Sequence, residues 1–217
     1  MASLSQFPRC IRVLAGTNGA GKSSIGGAII LRKGETYFNP DEATKRILMQ
    51  NPAITLEQAN SAAWHQGKRL LERAISERAN FAFETTLGGH TIVALLENAL
   101  LTGLEVRIWY VGLNTPELHI ERVRARVAKG GHDIPEGRIR ERYHQSRLNL
   151  IHLLPKLTEL LVYDNSADAN PLTGFTPEPI LIMHLLRSKT QDSCDPALVP
   201  NWAKPIWLAA MKSSGSI

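Results

Sequence analysis

Eight consecutive residues, Gly16-Thr17-Asn18-Gly19-Ala20-Gly21-Lys22-Ser23, set glycines, a lysine and a hydroxyl in the order G-x-x-x-x-G-K-S. That order suits a nucleoside triphosphate. Glycines let backbone N–H groups curl around a phosphate with no Cβ in the way, and a helix opening at Lys22 turns its positive end toward the anion. Lys22 supplies a point charge for the β- and γ-phosphates, and the Ser23 hydroxyl is placed to ligate Mg²⁺. Gly16 through Ser24 (Gly16, Thr17, Asn18, Gly19, Ala20, Gly21, Lys22, Ser23 and Ser24) are therefore expected to bind ATP with Mg²⁺. A chance glycine-rich turn is the alternative. The β-like run Cys10–Ala15 before the loop and the apolar Ile25, Ile29 and Ile30 after it argue against chance.

Several kinds of protein share such a loop. A transporter-type ATPase needs a strand ending in Asp-Glu and an L-S-G-G-Q-like signature; neither occurs, and Val162-Tyr163-Asp164 is followed by Asn165. The base-reading N-K-x-D of GTPases is missing too. What remains is transfer of the γ-phosphoryl to a hydroxyl, which calls for cations around the phosphates and a carboxylate near the attacking oxygen. Asp41, in Asn39-Pro40-Asp41 after a short β-like stretch, can take the hydroxyl proton; its other reading is an N-cap for a helix starting at Glu42. Glu84 with Thr85 and Thr86 closes the strand Phe81–Thr85 and can hydrogen-bond a polar substrate or a metal-bound water, or be an exposed strand end. Arg126 lies four residues after Arg122, and Arg142 four after Arg138, with Gly130-Gly131 between the pairs as a hinge. Arg126, Arg138 and Arg142 thereby become candidates for a lid closing on the phosphates, against the alternative of a solvated basic surface.

These residues need a scaffold that brings them together. The 217 residues suffice for one α/β domain, expected to span the whole chain with a lid at 116–150 and a tail from about 188. At 43% hydrophobic and 21% charged, the composition is that of a packed globular protein. Apolar residues at helical spacing over 56–79, opened by a Thr55-to-Gln58 capping box, predict a helix. Residues 35–39, 106–113 and 160–163 read as further strands, and residues 91–101 and the segment from Thr115-Pro116 as helices. A second helix follows the break at 130–133, with Ile139, Tyr143, Leu150, Leu153 and Leu154 on its apolar face. Alternation of this kind predicts a mostly parallel sheet with helices on both faces, the P-loop NTPase/kinase fold with a helical lid. The tail is rich in Pro, Ser, Asp and Asn, and residues 202–211 read equally as a docking helix or strand.

The net charge is +5 with pI about 9.4. Between Glu117 and Arg147, eight Lys/Arg face five acids, and the only aromatic residue is Tyr143, so nucleic acid is not indicated. Cys10 and Cys194 form neither a disulfide framework nor a metal-ligand pattern. With no signal-like start and no 18-residue apolar run, a cytoplasmic protein without a membrane span is expected.

The motifs Ala15-Gly16-Thr17-Asn18-Gly19-Ala20-Gly21-Lys22-Ser23-Ser24, Asn39-Pro40-Asp41, Phe83-Glu84-Thr85-Thr86-Leu87, and Arg126-Val127 followed by Gly130-Gly131-His132-Asp133-Ile134-Pro135-Glu136 occur in this order. Together they resemble the short bacterial members of the zeta toxin family of P-loop kinases, over roughly residues 11–166. The resemblance implies that family's fold, phosphorylation of the 3′-hydroxyl of UDP-N-acetylglucosamine by ATP, and an antitoxin as partner. It implies Asp41 as catalytic base, Lys22 as phosphate lysine, and Glu84, Thr85 and Thr86 as a substrate-side segment. Arg126, Arg138 and Arg142 match the lid cations. The family pattern I-x-R-R-Y-x-R-S is altered over 139–146, where Glu141 and Gln145 replace arginines while Arg142 and Tyr143 remain. Phosphorylation of a small-molecule hydroxyl is the leading expectation; a polynucleotide 5′-hydroxyl kinase and a non-catalytic ATP-binding regulator are the alternatives.

Overall fold

The computed structural model describes residues 9–22, 37–168 and 177–215. Ser23, Ser24 and the helix expected through Ile25, Ile29 and Ile30 lie outside the described residues. The strands are β1 (Cys10–Ala15), β2 (Tyr37–Phe38), β3 (Phe81–Thr85), β4 (Glu105–Gly112), β5 (Glu159–Asp164), β6 (Ile180–Leu186) and β7 (Lys189–Ser193). The helices are α1 (Pro40–Gln50), α2 (Leu56–Ser76), α3 (His90–Leu101), α4 (Pro116–Val127), α5 (Glu136–Leu153) and α6 (Lys204–Ser214).

The strands form one sheet in the order β2-β3-β1-β4-β5-β6-β7. β2 to β5 run parallel with β1, and β6 and β7 turn antiparallel. Every β1 side chain is buried, as a strand covered on both faces requires. Register pairs Leu14 with Glu84 and Ala15 with Thr85. The turn after β1 and the acidic end of β3 thus meet at the carboxyl edge of the sheet, where open α/β sheets bind ligands.

Local signals set the helix ends. Thr55 and Gln58 cap α2 reciprocally, Gln58 N donating to Thr55 Oγ1 at 3.2 Å and Thr55 N to Gln58 Oε1 at 2.9 Å. Thr115 caps α4 ahead of Pro116. One expectation is corrected at α1. Its cap is Asn39, whose Oδ1 accepts from Asp41 N at 2.8 Å and Glu42 N at 3.2 Å, with Pro40 opening the helix. Asp41 is therefore not an N-cap, and its carboxylate is left to act elsewhere.

The tail from about 188 holds β7 and α6, and α6 falls where residues 202–211 read as either a helix or a strand. The β6–β7 hairpin turns on Arg187 and Ser188, both at positive φ (50° and 61°). Two-residue hairpin turns need this geometry and usually take Asn-Gly for it, so Arg-Ser carries no sequence signal. Trp202, Ile206 and Ala210 are buried in the main core. The Trp202 indole donates to Asp164 Oδ1 at 2.9 Å, and its ring covers Gly112, where an added Cβ would lie 2.3 Å from it. Among the described residues, no helix is long and apolar enough to cross a membrane.

Because Trp202 seals the end of β4 beside β5, Trp202→Ala should cost ~3–5 kcal/mol of folding stability, as large-to-small core changes do. Urea denaturation measures it. A loss below about 1 kcal/mol would show that the segment is appended to the core rather than part of it.

Candidate active site

The loop after β1 is shaped by glycines with no room for a side chain. Gly16 has φ 144°, and a Cβ there would come within 2.2 Å of Val111 O. Gly19 and Gly21 both have φ 81°, a conformation glycine adopts at little cost. Lys22 is buried, its Nζ donating to Gly16 O at 2.7 Å and standing 3.6 Å from Glu84 Oε1. Burial pushes its pKa below the usual lysine range, opposed by the negative charges of Glu84 and Asp41.

Glu84 is the meeting point of the site. Besides Lys22, its Oε2 accepts from Tyr37 Oη and Asn39 Nδ2, each at 3.0 Å. Burial and the Glu84 charge raise the Tyr37 pKa, which keeps the phenol protonated as a donor. Glu84 is therefore not an exposed strand end. Asn39 both caps α1 and holds Glu84, so one side chain fixes the distance between Asp41 and the P-loop. Thr85 accepts from Leu87 N through Oγ1 at 3.1 Å, while its carbonyl accepts from Gly16 N at 3.3 Å. Thr86 lines the cleft beside it.

Asp41 faces the cations expected of a lid. Arg126 Nη1 is 3.4 Å from Asp41 Oδ2, and His132 Nε2 is 3.8 Å from Oδ1. Arg126 Nη2 also donates to His132 O at 3.3 Å, and its buried Nε has no hydrogen-bond partner. Gly131 makes room for Arg126, since a Cβ there would lie 2.7 Å from Arg126 Cγ. Arg142 Nη1 donates to Asn18 Oδ1 in the P-loop at 2.7 Å, and Gly88 makes room for its stem in the same way. Arg138 is exposed and lines the same cleft.

Three other arginines of the basic run are held elsewhere. Arg140 pairs with Glu117, Arg124 with Glu136, and Arg147 stacks on the Tyr143 ring at 4.0 Å. Tyr143 is buried and donates to Asn114 O, so it offers no stacking platform. Arg126, Arg138 and Arg142 converge on one cleft of about 1820 Å³ with the P-loop, Asp41 and Glu84. Its far wall is α2, with Asn60, the partly exposed Trp64 and Lys68 at four-residue intervals on one helix face.

Sequence reasoning missed several residues here. Tyr37 and Trp64 carry no pattern of their own, and His132 stands in the sequence only as one position of the motif at 130–136. Asn165 stands out in the sequence only as a non-acid after Asp164; its Nδ2 donates to Ala20 O at 2.9 Å. His119 reads as one more residue of a helix, yet it is buried with Nδ1 2.8 Å from Asn18 O. Spacing pairs Arg122 with Arg126, but Arg122 donates to Asn165 O at 2.8 Å and Ala167 O at 3.0 Å and braces the loop after β5.

A mostly parallel sheet with a strand–glycine loop–lysine cradle at its carboxyl edge is the architecture of P-loop kinases. Within that class the chain belongs to the Zeta toxin family, whose profile matches residues 5–168. An uncharacterized protein of Haemophilus influenzae is 32% identical over 128 residues, which cover 59% of this chain and 88% of that protein. Among solved structures, the AvrRxo1-ORF1:AvrRxo1-ORF2 complex with sulphate ions superposes at TM-score 0.67 with 15% identity. The match covers 94% of this chain but only 64% of the other, so this chain spans less than two thirds of that protein's length. The same complex has also been solved with ATP. The PezAT chromosomal toxin-antitoxin system of Streptococcus pneumoniae superposes at TM-score 0.56 with 16% identity, covering 98% of this chain and 88% of that one.

Burial lowers the His119 pKa from 6.5 to about 4, against the opposing hydrogen bond to Asn18. Between those values the unfolded chain takes up a proton that the folded chain refuses. The stability this residue contributes is full above about pH 6.5 and is lost as pH falls toward 4, by up to roughly 3 kcal/mol. His119→Asn should flatten that part of the acid limb in urea titrations run from pH 7 to 4. An unchanged slope would show that another group causes the acid loss.

Proposed function

We propose that this chain is an ATP-dependent phosphotransferase that passes the γ-phosphoryl to a hydroxyl of a small, phosphate-bearing metabolite, with UDP-N-acetylglucosamine as first candidate. The observation carrying this reading is a chain of charge across one cleft. Lys22 lies 3.6 Å from Glu84, Asn39 joins Glu84 to the start of α1, and Arg126 lies 3.4 Å from Asp41. A binder of ATP alone has no need of a carboxylate and a guanidinium facing each other beside the phosphate lysine.

In this reading Asp41 takes the acceptor proton as its oxygen attacks the γ-phosphorus, and the bond to the bridging oxygen of ADP breaks. Lys22, Arg126, Arg138 and Arg142 balance the charge that shifts during transfer. Glu84, Thr85 and Thr86 hold acceptor hydroxyls, and the α2 wall around Asn60 and Trp64 takes the remote part of the acceptor. Mg²⁺ prefers hard oxygen donors; the Glu84 carboxylate in the cleft offers one, the sequence motif assigns Ser23 as another, and the ion would draw charge from the transferring group.

The lid belongs to this proposal, within a single domain. Its two helices are tied to the body by His119 to Asn18, by Asn149 Nδ2 donating to Leu87 O at 2.8 Å, and by the Tyr110–Ser146 hydroxyl contact at 3.0 Å. Closure is therefore assigned to the connection at 128–135, which carries His132. An antitoxin-like protein partner is proposed from family membership and from the toxin-antitoxin system named for the pneumococcal structure.

The direct test is incubation with ATP, Mg²⁺ and a panel of nucleotide sugars, nucleosides and 5′-hydroxyl oligonucleotides, followed by mass spectrometry. Transfer to a nucleotide sugar is expected; transfer to oligonucleotides alone would replace this reading with a polynucleotide kinase. Asp41→Asn should keep ATP affinity and lose ~10²–10⁴-fold in turnover. Lys22→Ala should lose ~10²–10³-fold. Full turnover in a folded Asp41→Asn variant would remove Asp41 as the base.

A further inference from the structure

Two side chains from outside the phosphate loop each grip one of its carbonyl oxygens. His119 Nδ1, on the second turn of α4, contacts Asn18 O at 2.8 Å, and Asn165 Nδ2, just beyond β5, donates to Ala20 O at 2.9 Å. Both residues are buried, at 1% and 8% exposure. A carbonyl oxygen only accepts, so His119 carries its proton on Nδ1 and Asn165 turns its amide nitrogen toward the loop.

What these grips fix follows from peptide geometry. A trans peptide is planar, with its N–H opposed to its C=O. Holding Asn18 O toward His119 points the Gly19 N–H away from His119, and holding Ala20 O toward Asn165 points the Gly21 N–H away from Asn165. The gripped peptides are also those most prone to flip. A flip rotates ψ of the first residue and φ of the second, and here the second residue is a glycine at φ 81° in both cases, where no Cβ resists rotation.

The grips are themselves braced. Arg122, three residues after His119, donates to Asn165 O at 2.8 Å, and Asn165 N donates to Gly112 O at 3.0 Å. Gly19 packs against the backbone of α4, where a Cβ would lie 2.5 Å from His119 O. One helix thus supplies the first clamp and supports the second.

We propose that His119 and Asn165 are positioning residues that hold the Gly19 and Gly21 amides in phosphate-binding orientation by clamping the carbonyls of the same peptides. This inference rests on the reading of the loop as a triphosphate site. It gives α4 a fixed role, as a buttress of the cradle, distinct from that of the cations it carries. At neutral pH the buried ring is uncharged, so the clamp adds no cation of its own and acts through geometry.

The test is a titration of inorganic triphosphate into ¹⁵N-labelled protein, read at the Gly19 and Gly21 amides, with ATP affinity measured by calorimetry. In the wild-type chain both amides should move downfield. His119→Ala should abolish the Gly19 response and spare Gly21, Asn165→Ala should do the reverse, and each should weaken ATP binding roughly 3–10-fold, the scale of one net hydrogen bond. His119→Asn, which keeps a donor near the position of Nδ1, should restore Gly19. Both amides responding normally in both alanine variants would overturn the inference. So would equal loss at both amides with a lowered Tm in either variant, since that marks a merely structural role. No response in the wild-type chain would overturn the triphosphate reading and this inference with it.

Discussion

Lys22 is a cation held almost entirely out of water, and a buried charge is costly unless it is paired and hydrogen-bonded. Much of the site follows from meeting that need. Glu84 supplies the opposing charge, so the acidic end of β3 must lie beside the loop that follows β1, as the register of Leu14 with Glu84 ensures. Glu84 in turn sits among donors from Tyr37 and Asn39. Asn39 spends its carbonyl oxygen on the first turn of α1 and its amide on Glu84, and so ties the helix carrying Asp41 to the pair that neutralises Lys22. A requirement of electrostatics thereby becomes a set of distances among the groups that the proposed phosphoryl transfer uses.

The opposite side of the cleft is governed by space. Arg126 and Arg142 approach the centre because Gly131 and Gly88 leave room for their stems. The glycine pair at 130–131 has a static use here, as Gly130 takes a left-handed turn at φ 88° and Gly131 accepts the packed arginine. Arg124 and Arg140, in the same stretch, are paired along the surface with Glu136 and Glu117. For Arg126 and Arg142, neighbouring glycines therefore matter as much as helical spacing.

The contrast between what was legible and what was not has a physical basis. The P-loop, the strand Phe81–Thr85 and the Thr55–Gln58 capping box each depend on residues close in sequence, so their types and spacing carry the information. Family motifs extended that legibility to Asp41 and the arginines. His119, Asn165, Tyr37 and Trp202 act through contacts across dozens of residues, and their types are unremarkable where they stand. Asp41 reads from the sequence as a possible cap because Asp and Asn are both favoured there; two residues earlier, Asn39 takes that role. The β6–β7 hairpin was hidden because its turn uses Arg-Ser in a backbone geometry that usually advertises itself through glycine.

The seal that Trp202 places over Gly112 and Asp164 also has a consequence in time. Ribosomes add residues in order, and domains fold as units once their parts have emerged. The loop at Gly16 to Lys22, Asp41, Glu84 and the three arginines are all made before residue 143, well ahead of the indole that closes the sheet beside them. A nascent chain thus holds the glycine loop, Asp41, Glu84 and the three arginines while the wall behind β4 and β5 is still open. The residues that line the near side of the cleft are therefore on the chain before the side chain that closes the core behind them has been made.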